Sequence, residues 1–161
     1  MAVEITHRIP LPAPNGMTEV RVDEKGRLTL PAGHKRFLES LDENRLFVTS
    51  LDDRRAHVFS QSVWRSRQER MIAESSLQEV VRRFLFRVHR LGADTEMDKQ
   101  GRLVLPARLR ARLRLEDTMV SVWAAIDRVE IMREDEADTL DQEFNSTRES
   151  DYALLEKANL I

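Results

Sequence analysis

The sequence predicts an α+β fold in which two internal repeats close on each other, with helices between and after them. Three observations carry this. A ten-residue phrase occurs twice, Asp23-Glu24-Lys25-Gly26-Arg27-Leu28-Thr29-Leu30-Pro31-Ala32 and, 75 positions on, Asp98-Lys99-Gln100-Gly101-Arg102-Leu103-Val104-Leu105-Pro106-Ala107, with seven of the ten positions identical. Each copy is followed by a short helical-period stretch and then by two apolar strand-like runs. Each half alone is too short to bury much core, so two halves in one chain are expected to share one.

The phrase itself reads strand, turn, strand, helix. Asp23 and Asp98 open four-residue stretches closed by Gly26 and Gly101, the pattern of a tight turn whose Asp carboxylate bonds backbone N–H groups further on. Glycine admits the positive φ needed where the chain enters the next strand. Arg27 and Arg102 then project outward. Leu28 and Leu30, like Leu103 and Leu105, alternate as in a half-buried strand. Pro31 and Pro106 stop the strand and suit a helix start.

In chain order, residues 1–17 contain Pro10, Pro12, Pro14 and Gly16 and are expected to be an extended arm. The first repeat with its following helix is assigned to 18–75, opening with a strand over 18–22. His34, Phe37, Leu38 and Leu41 recur at helical steps, with His34 at the helix surface or half-buried. Leu46-Phe47-Val48 and His57-Val58-Phe59 flank a polar turn and read as a hairpin. A helix near Ser62 carries Trp64 and is interrupted at Ser75-Ser76. A linking helix spans 76–91. Ser76 and Glu79 have capping-box spacing, and Leu77, Val80, Val81, Phe84, Leu85 and Val88 trace a stripe expected in the core. Gly92 is placed at its C′ position. The second repeat is assigned to 92–145, with Leu109 and Leu113 on a short helix, strands at Met119–Trp123 and Val129–Met132, and an acidic helix from Glu134. Residues 146–161 are expected to be an acidic, weakly ordered tail.

Composition narrows the function. The chain has 161 residues, 41% hydrophobic and 34% charged, with a formal net charge of −2. That net value hides an asymmetry: residues 130–161 hold 10 acidic and 3 basic residues, leaving the rest at +5. From Lys99 to Arg114 there are six cations and no acid until Glu116. A basic body suggests a polyanion-binding face. No apolar run reaches the roughly 18 residues of a membrane span, no signal-peptide pattern opens the chain, and there is no cysteine. A cytoplasmic location is therefore expected. The four histidines share no metal-ligand spacing, and no phosphate-binding glycine loop or nucleophile–base constellation is present. The expectation is a non-enzyme with no cofactor, no metal, no membrane partner and no small-molecule substrate.

The segment Val22 to Pro31 resembles the DNA-binding element of AbrB-type bacterial regulators. Two such elements about 75 residues apart, with Asp127-Arg128-Val129-Glu130-Ile131 in the second hairpin and Trp64 after the first, resemble the MraZ family over residues 18–145. The resemblance implies a double AbrB-like swapped-hairpin barrel and ring-shaped homo-oligomers. It implies a nucleoid-associated transcriptional regulator, usually a repressor, that binds repeated promoter boxes of the division and cell-wall gene cluster. The Asp and Arg of the family phrase correspond to Asp23, Arg27, Asp98 and Arg102. The Pro-rich arm departs from the short family entry to the first strand.

The partner expected is double-stranded DNA. Arg27 and Arg102 are the candidates for base or phosphate contact. Lys25, Lys99, Lys35, Arg36, Arg108 and Arg110 are assigned to phosphates, which position without reading sequence. Asp23, Gly26, Asp98 and Gly101 orient the turns. The second half, with its run of cations, is expected to hold phosphate more strongly, and Arg102→Ala to cost more affinity than Arg27→Ala. The alternative is an antitoxin-type interaction module that captures a basic protein through the acidic C-terminal residues.

Overall fold

The computed structural model describes residues 11–42 and 44–161. Most of the Pro-rich arm (residues 1–10) lies outside the described residues, and 11–17 form no helix or strand. The first half runs β1 (Thr18–Val22), β2 (Arg27–Thr29), α1 (Ala32–Asp42), β3 (Arg45–Thr49), β4 (Ala56–Ser60), α2 (Gln61–Ala73), a 3-10 turn at Ser75–Leu77, and α3 (Gln78–Leu91). The second half repeats this as β5 (Ala93–Glu96), β6 (Arg102–Val104), α4 (Ala107–Leu113), β7 (Thr118–Ala125), β8 (Arg128–Arg133), α5 (Glu134–Asn145) and α6 (Arg148–Lys157).

The strands form one antiparallel sheet in the order β1-β7-β8-β4-β3-β5 and a separate two-stranded ribbon, β2-β6. Replacing each strand by its repeat counterpart reverses the order, so the sheet has an internal two-fold. The first strand of each half is exchanged: β1 pairs with β7, Val20 opposite Val120, and β5 pairs with β3, Leu46 opposite Thr95. β4 and β8 meet at the centre with His57 opposite Glu130, and the ribbon sets Leu28 opposite Leu103. Neither half completes its own sheet.

Alternation explains the core. Val22, Leu28, Leu30, Leu103 and Leu105 point inward and join Leu46, Val58, Val120, Val129 and Ile131 in one cluster, all almost inaccessible to solvent. α1 and α4 cover it with Leu38 and with Leu109 and Leu113. A second cluster, Phe47, Phe59, Trp64 and Val88, sits under α2 and α3, with the Phe47 and Trp64 rings 4.7 Å apart.

Five expectations are corrected. His34 is not at the surface: it is only 3% exposed, at the position Leu109 fills in the other half, and neither ring nitrogen has a hydrogen-bond partner among the described residues. The α3 stripe is only partly core, since Val88 is buried and Phe84 and Leu85 are half-buried, but Leu77 and Val80 stay exposed. A periodic stripe tells which face is apolar, not what covers it. The capping box does not form; instead Glu74 accepts from the Ser76 N–H and hydroxyl at 3.2 and 2.6 Å, and Leu77 precedes α3 without a side-chain cap. Gly92 has φ −94°, an ordinary extended value, and is the C-cap. Its lack of a side chain serves close packing, because a Cβ there would lie 2.8 Å from both Phe47 and Thr49 carbons. Finally, the expected weakly ordered tail holds α6, a helix whose residues are all exposed.

Candidate nucleic-acid interface

Both copies of the phrase build the same turn. Asp23 Oδ1 accepts from the backbone N–H groups of Lys25 and Arg27, each at 2.9 Å. Asp98 Oδ1 does the same with Gln100 and Arg102, again at 2.9 Å. The Gly26 and Gly101 N–H groups donate to the Asp carbonyls at 3.0 Å, with φ of +77° and +84°. These bonds favour ionised carboxylates. The Arg27 backbone N–H is the largest cause holding the Asp23 carboxyl below its usual range, and the Arg102 N–H does the same for Asp98.

The second carboxylate oxygen orients the arginine. Arg27 Nε donates to Asp23 Oδ2 at 2.6 Å, and Arg102 Nε to Asp98 Oδ2 at 2.7 Å. Each bond uses only Nε, so the two terminal nitrogens point onward from side chains that are 58% and 62% exposed. In the ribbon, Arg27 lies opposite Val104 and Thr29 opposite Arg102. Leu28 and Leu103 face the core, which leaves Arg27, Thr29, Arg102 and Val104 on one outward face. A groove of about 710 Å³ runs over that face. A two-stranded ribbon fits the DNA major groove, and a guanidinium there can bind guanine O6 and N7 together.

The remaining candidates divide by what they already touch. Lys25, Lys99, Arg36 and Arg108 are exposed. Lys35 is half-buried, with Nζ 2.9 Å from Glu39 and its stem against Gly101. Its counterpart Arg110 is more committed: it donates to the carbonyls of Lys25 and Leu105 at 2.7 and 3.0 Å and to Glu116 at 3.0 Å. A Cβ on Gly26 would lie 2.0 Å from Arg110 Cδ. Each half's helix thus braces the other half's turn.

Sequence reasoning missed the centre of the sheet. Glu130 is 1% exposed and receives Arg55, Arg128 and the Trp123 indole N–H at 3.0, 2.9 and 3.0 Å. His57, also 1% exposed, holds Nε2 3.6 Å from Glu130, and its Nδ1 accepts from the Leu51 N–H at 3.2 Å. That bond leaves the neutral ring's proton on Nε2, facing the carboxylate. Burial is the main reason the His57 pKa falls from 6.5 to about 4. The available signal was an acid flanked by Val129 and Ile131 in a strand with no polar alternation. Among the described residues no cluster of three or more His, Asp or Glu could hold a metal ion, and no helix is long and apolar enough to cross a membrane.

A family model described as "MraZ protein, putative antitoxin-like" matches residues 15–87 and 92–155. A protein of Idiomarina loihiensis named Transcriptional regulator MraZ is 30% identical over 145 residues, covering 88% of this chain and 94% of its own length. A protein of Acidobacterium capsulatum with the same name is 37% identical over 95 residues, 59% of this chain and 65% of that protein. One of the same name from Koribacter versatilis is 34% identical over 96 residues, and this chain likewise spans 65% of its length. The match on both repeats follows the two turns and the exchanged sheet just described, and the chain belongs to the MraZ family.

Proposed function

We propose that this chain is a sequence-specific DNA-binding transcriptional regulator acting as a repressor, and that its fold is a double AbrB-like swapped-hairpin barrel. The observation that carries this reading is the outward ribbon face. Two arginines are aimed by two aspartates through Nε alone, so four terminal guanidinium nitrogens are presented together. An exposed turn salt bridge by itself contributes only about 0–1 kcal/mol, a weak reason to build the same one twice.

Arg27 and Arg102 read bases. Lys25, Lys99, Lys35, Arg36 and Arg108 hold phosphates. Arg110 joins them only at the margin of the contact, since its main partners are the Lys25 turn and Glu116. The targets are repeated boxes upstream of the division and cell-wall gene cluster, including the chain's own gene, in the nucleoid of the cytoplasm. One subunit makes few contacts, so a ring of subunits engages several boxes at once and gains affinity through effective concentration.

Gel-shift of the DNA upstream of the chain's own gene, with molecular mass measured in solution, tests this. A retarded complex and a multi-subunit mass are expected. A monomer that leaves that DNA unshifted overturns the reading.

A second reading has its own observation. α5 and α6 are acidic and leave Phe144, Tyr152 and Leu154 60%, 53% and 67% exposed. Such a surface suits a basic protein partner, in the manner of the antitoxin-like description of the matching family. Stoichiometric co-purification of a basic protein that excludes DNA would favour it.

A further inference from the structure

The groove over the ribbon is lined by five residues from each half, related by the internal two-fold. The Asp, Arg and Leu pairs are identical. The other two pairs differ: Arg21 answers to Glu96, and Thr29 to Val104. All four of these side chains are exposed, so the differences lie on the reading surface and not in the core.

A face with perfect two-fold symmetry would read a palindrome. Here the two corners are chemically distinct. Arg27 stands opposite Val104, and Arg102 opposite Thr29. Cross-strand neighbours lie about 4.5–5.5 Å apart, close enough to address the same or adjacent base pairs. Valine offers only apolar contact, which in the major groove selects the thymine methyl, whereas a threonine hydroxyl can donate or accept. The ends differ in charge as well. Arg21, which pairs with Asp117, is a cation at one end, and Glu96 is an anion at the other. A carboxylate repels phosphate and can accept from cytosine N4.

We infer that Thr29 and Val104 are specificity-determining residues that make one subunit's DNA site directional: a guanine beside a thymine read by Arg27 and Val104, and a guanine beside a different base read by Arg102 and Thr29. Glu96 and Arg21 reinforce the same direction. The inference rests on the DNA-reading role proposed above.

Selection of bound sequences from a random duplex pool tests it, using the full chain, T29V, V104T and the double variant R27A/R102A. T29V and V104T each make the ribbon corners alike at an exposed site. The wild type is expected to enrich a non-palindromic core. T29V should enrich a core that is palindromic at the base pairs under the ribbon, built from one half of the wild-type core, and V104T one built from the other half, while the flanking asymmetry set by Arg21 and Glu96 persists. Each single variant should lose about tenfold affinity for the wild-type core. A palindromic wild-type core, or single variants that keep the wild-type asymmetry at the base pairs under the ribbon, overturns the inference while leaving the DNA-reading role intact. No enrichment by the wild type, or enrichment of the same core by R27A/R102A, overturns the DNA-reading role and the inference with it.

Discussion

At the centre of the sheet, Glu130 is a buried anion held by two arginines and an indole N–H. Removing one partner of a buried pair leaves the other uncompensated, so Glu130→Ala should cost about 3–5 kcal/mol of stability, measured by denaturant unfolding. His57 beside it gives a pH signature. Burial, followed by Arg128 and Arg55, lowers its pKa to about 4 despite the opposing pull of Glu130 and Asp52. The unfolded chain binds this proton near pH 6.5 and the folded chain does not, so folding is favoured above pH 6.5. That share of stability is lost as pH falls from about 6.5 to about 4. His57→Gln should flatten the stability profile over that window. His34 lies elsewhere in the core with two nitrogens that find no partner among the described residues, and burial lowers its pKa. Since Leu109 fills the equivalent position, His34→Leu should stabilise the fold by about 1–2 kcal/mol, seen as a higher unfolding midpoint.

The turns carry predictions at the scale of elements. Gly26 combines φ +77° with Arg110 packed where a Cβ would stand. Gly26→Ala should therefore destabilise by about 1–3 kcal/mol and loosen the Arg27 tip, checked by thermal unfolding and DNA affinity together. Gly16, with a similar φ, has no described residue where a Cβ would stand, so among the described residues only the conformational part of that cost applies. The turn and strand of the phrase were legible in the sequence because they are local: Asp, Gly and the Leu alternation act within ten residues. Strand exchange was not legible from the residues themselves, because Val20 meets Val120 across a hundred positions and either pairing keeps the same alternation. The duty of Arg110 was hidden for a similar reason. Its charge was visible, but its partners, the Lys25 and Leu105 carbonyls, depend on how the halves interlock. That commitment also removes much of the expected excess of phosphate binding in the second half. With matching Asp–Arg geometry in both copies, Arg27→Ala and Arg102→Ala should lose similar affinity, contrary to the larger loss at Arg102 expected from charge counting.

Over the whole molecule, two repeats make one sheet, one ribbon and one outward face that carries Arg27 and Arg102, followed by the acidic helices α5 and α6. Part of that acidity is tied to the body, since Arg54 bonds both Glu136 and Glu143. α6 is exposed throughout, so a chain lacking residues 146–161 should keep its melting midpoint. The central claim is that the ribbon reads sequence. The most direct test is the affinity ratio between the chain's own upstream DNA and a scrambled duplex, measured at one fixed salt concentration for the wild type and for Arg27→Ala/Arg102→Ala. The account predicts that the double variant keeps its fold and its weak binding to scrambled DNA but loses preference by at least about tenfold per arginine. An unchanged ratio would contradict it.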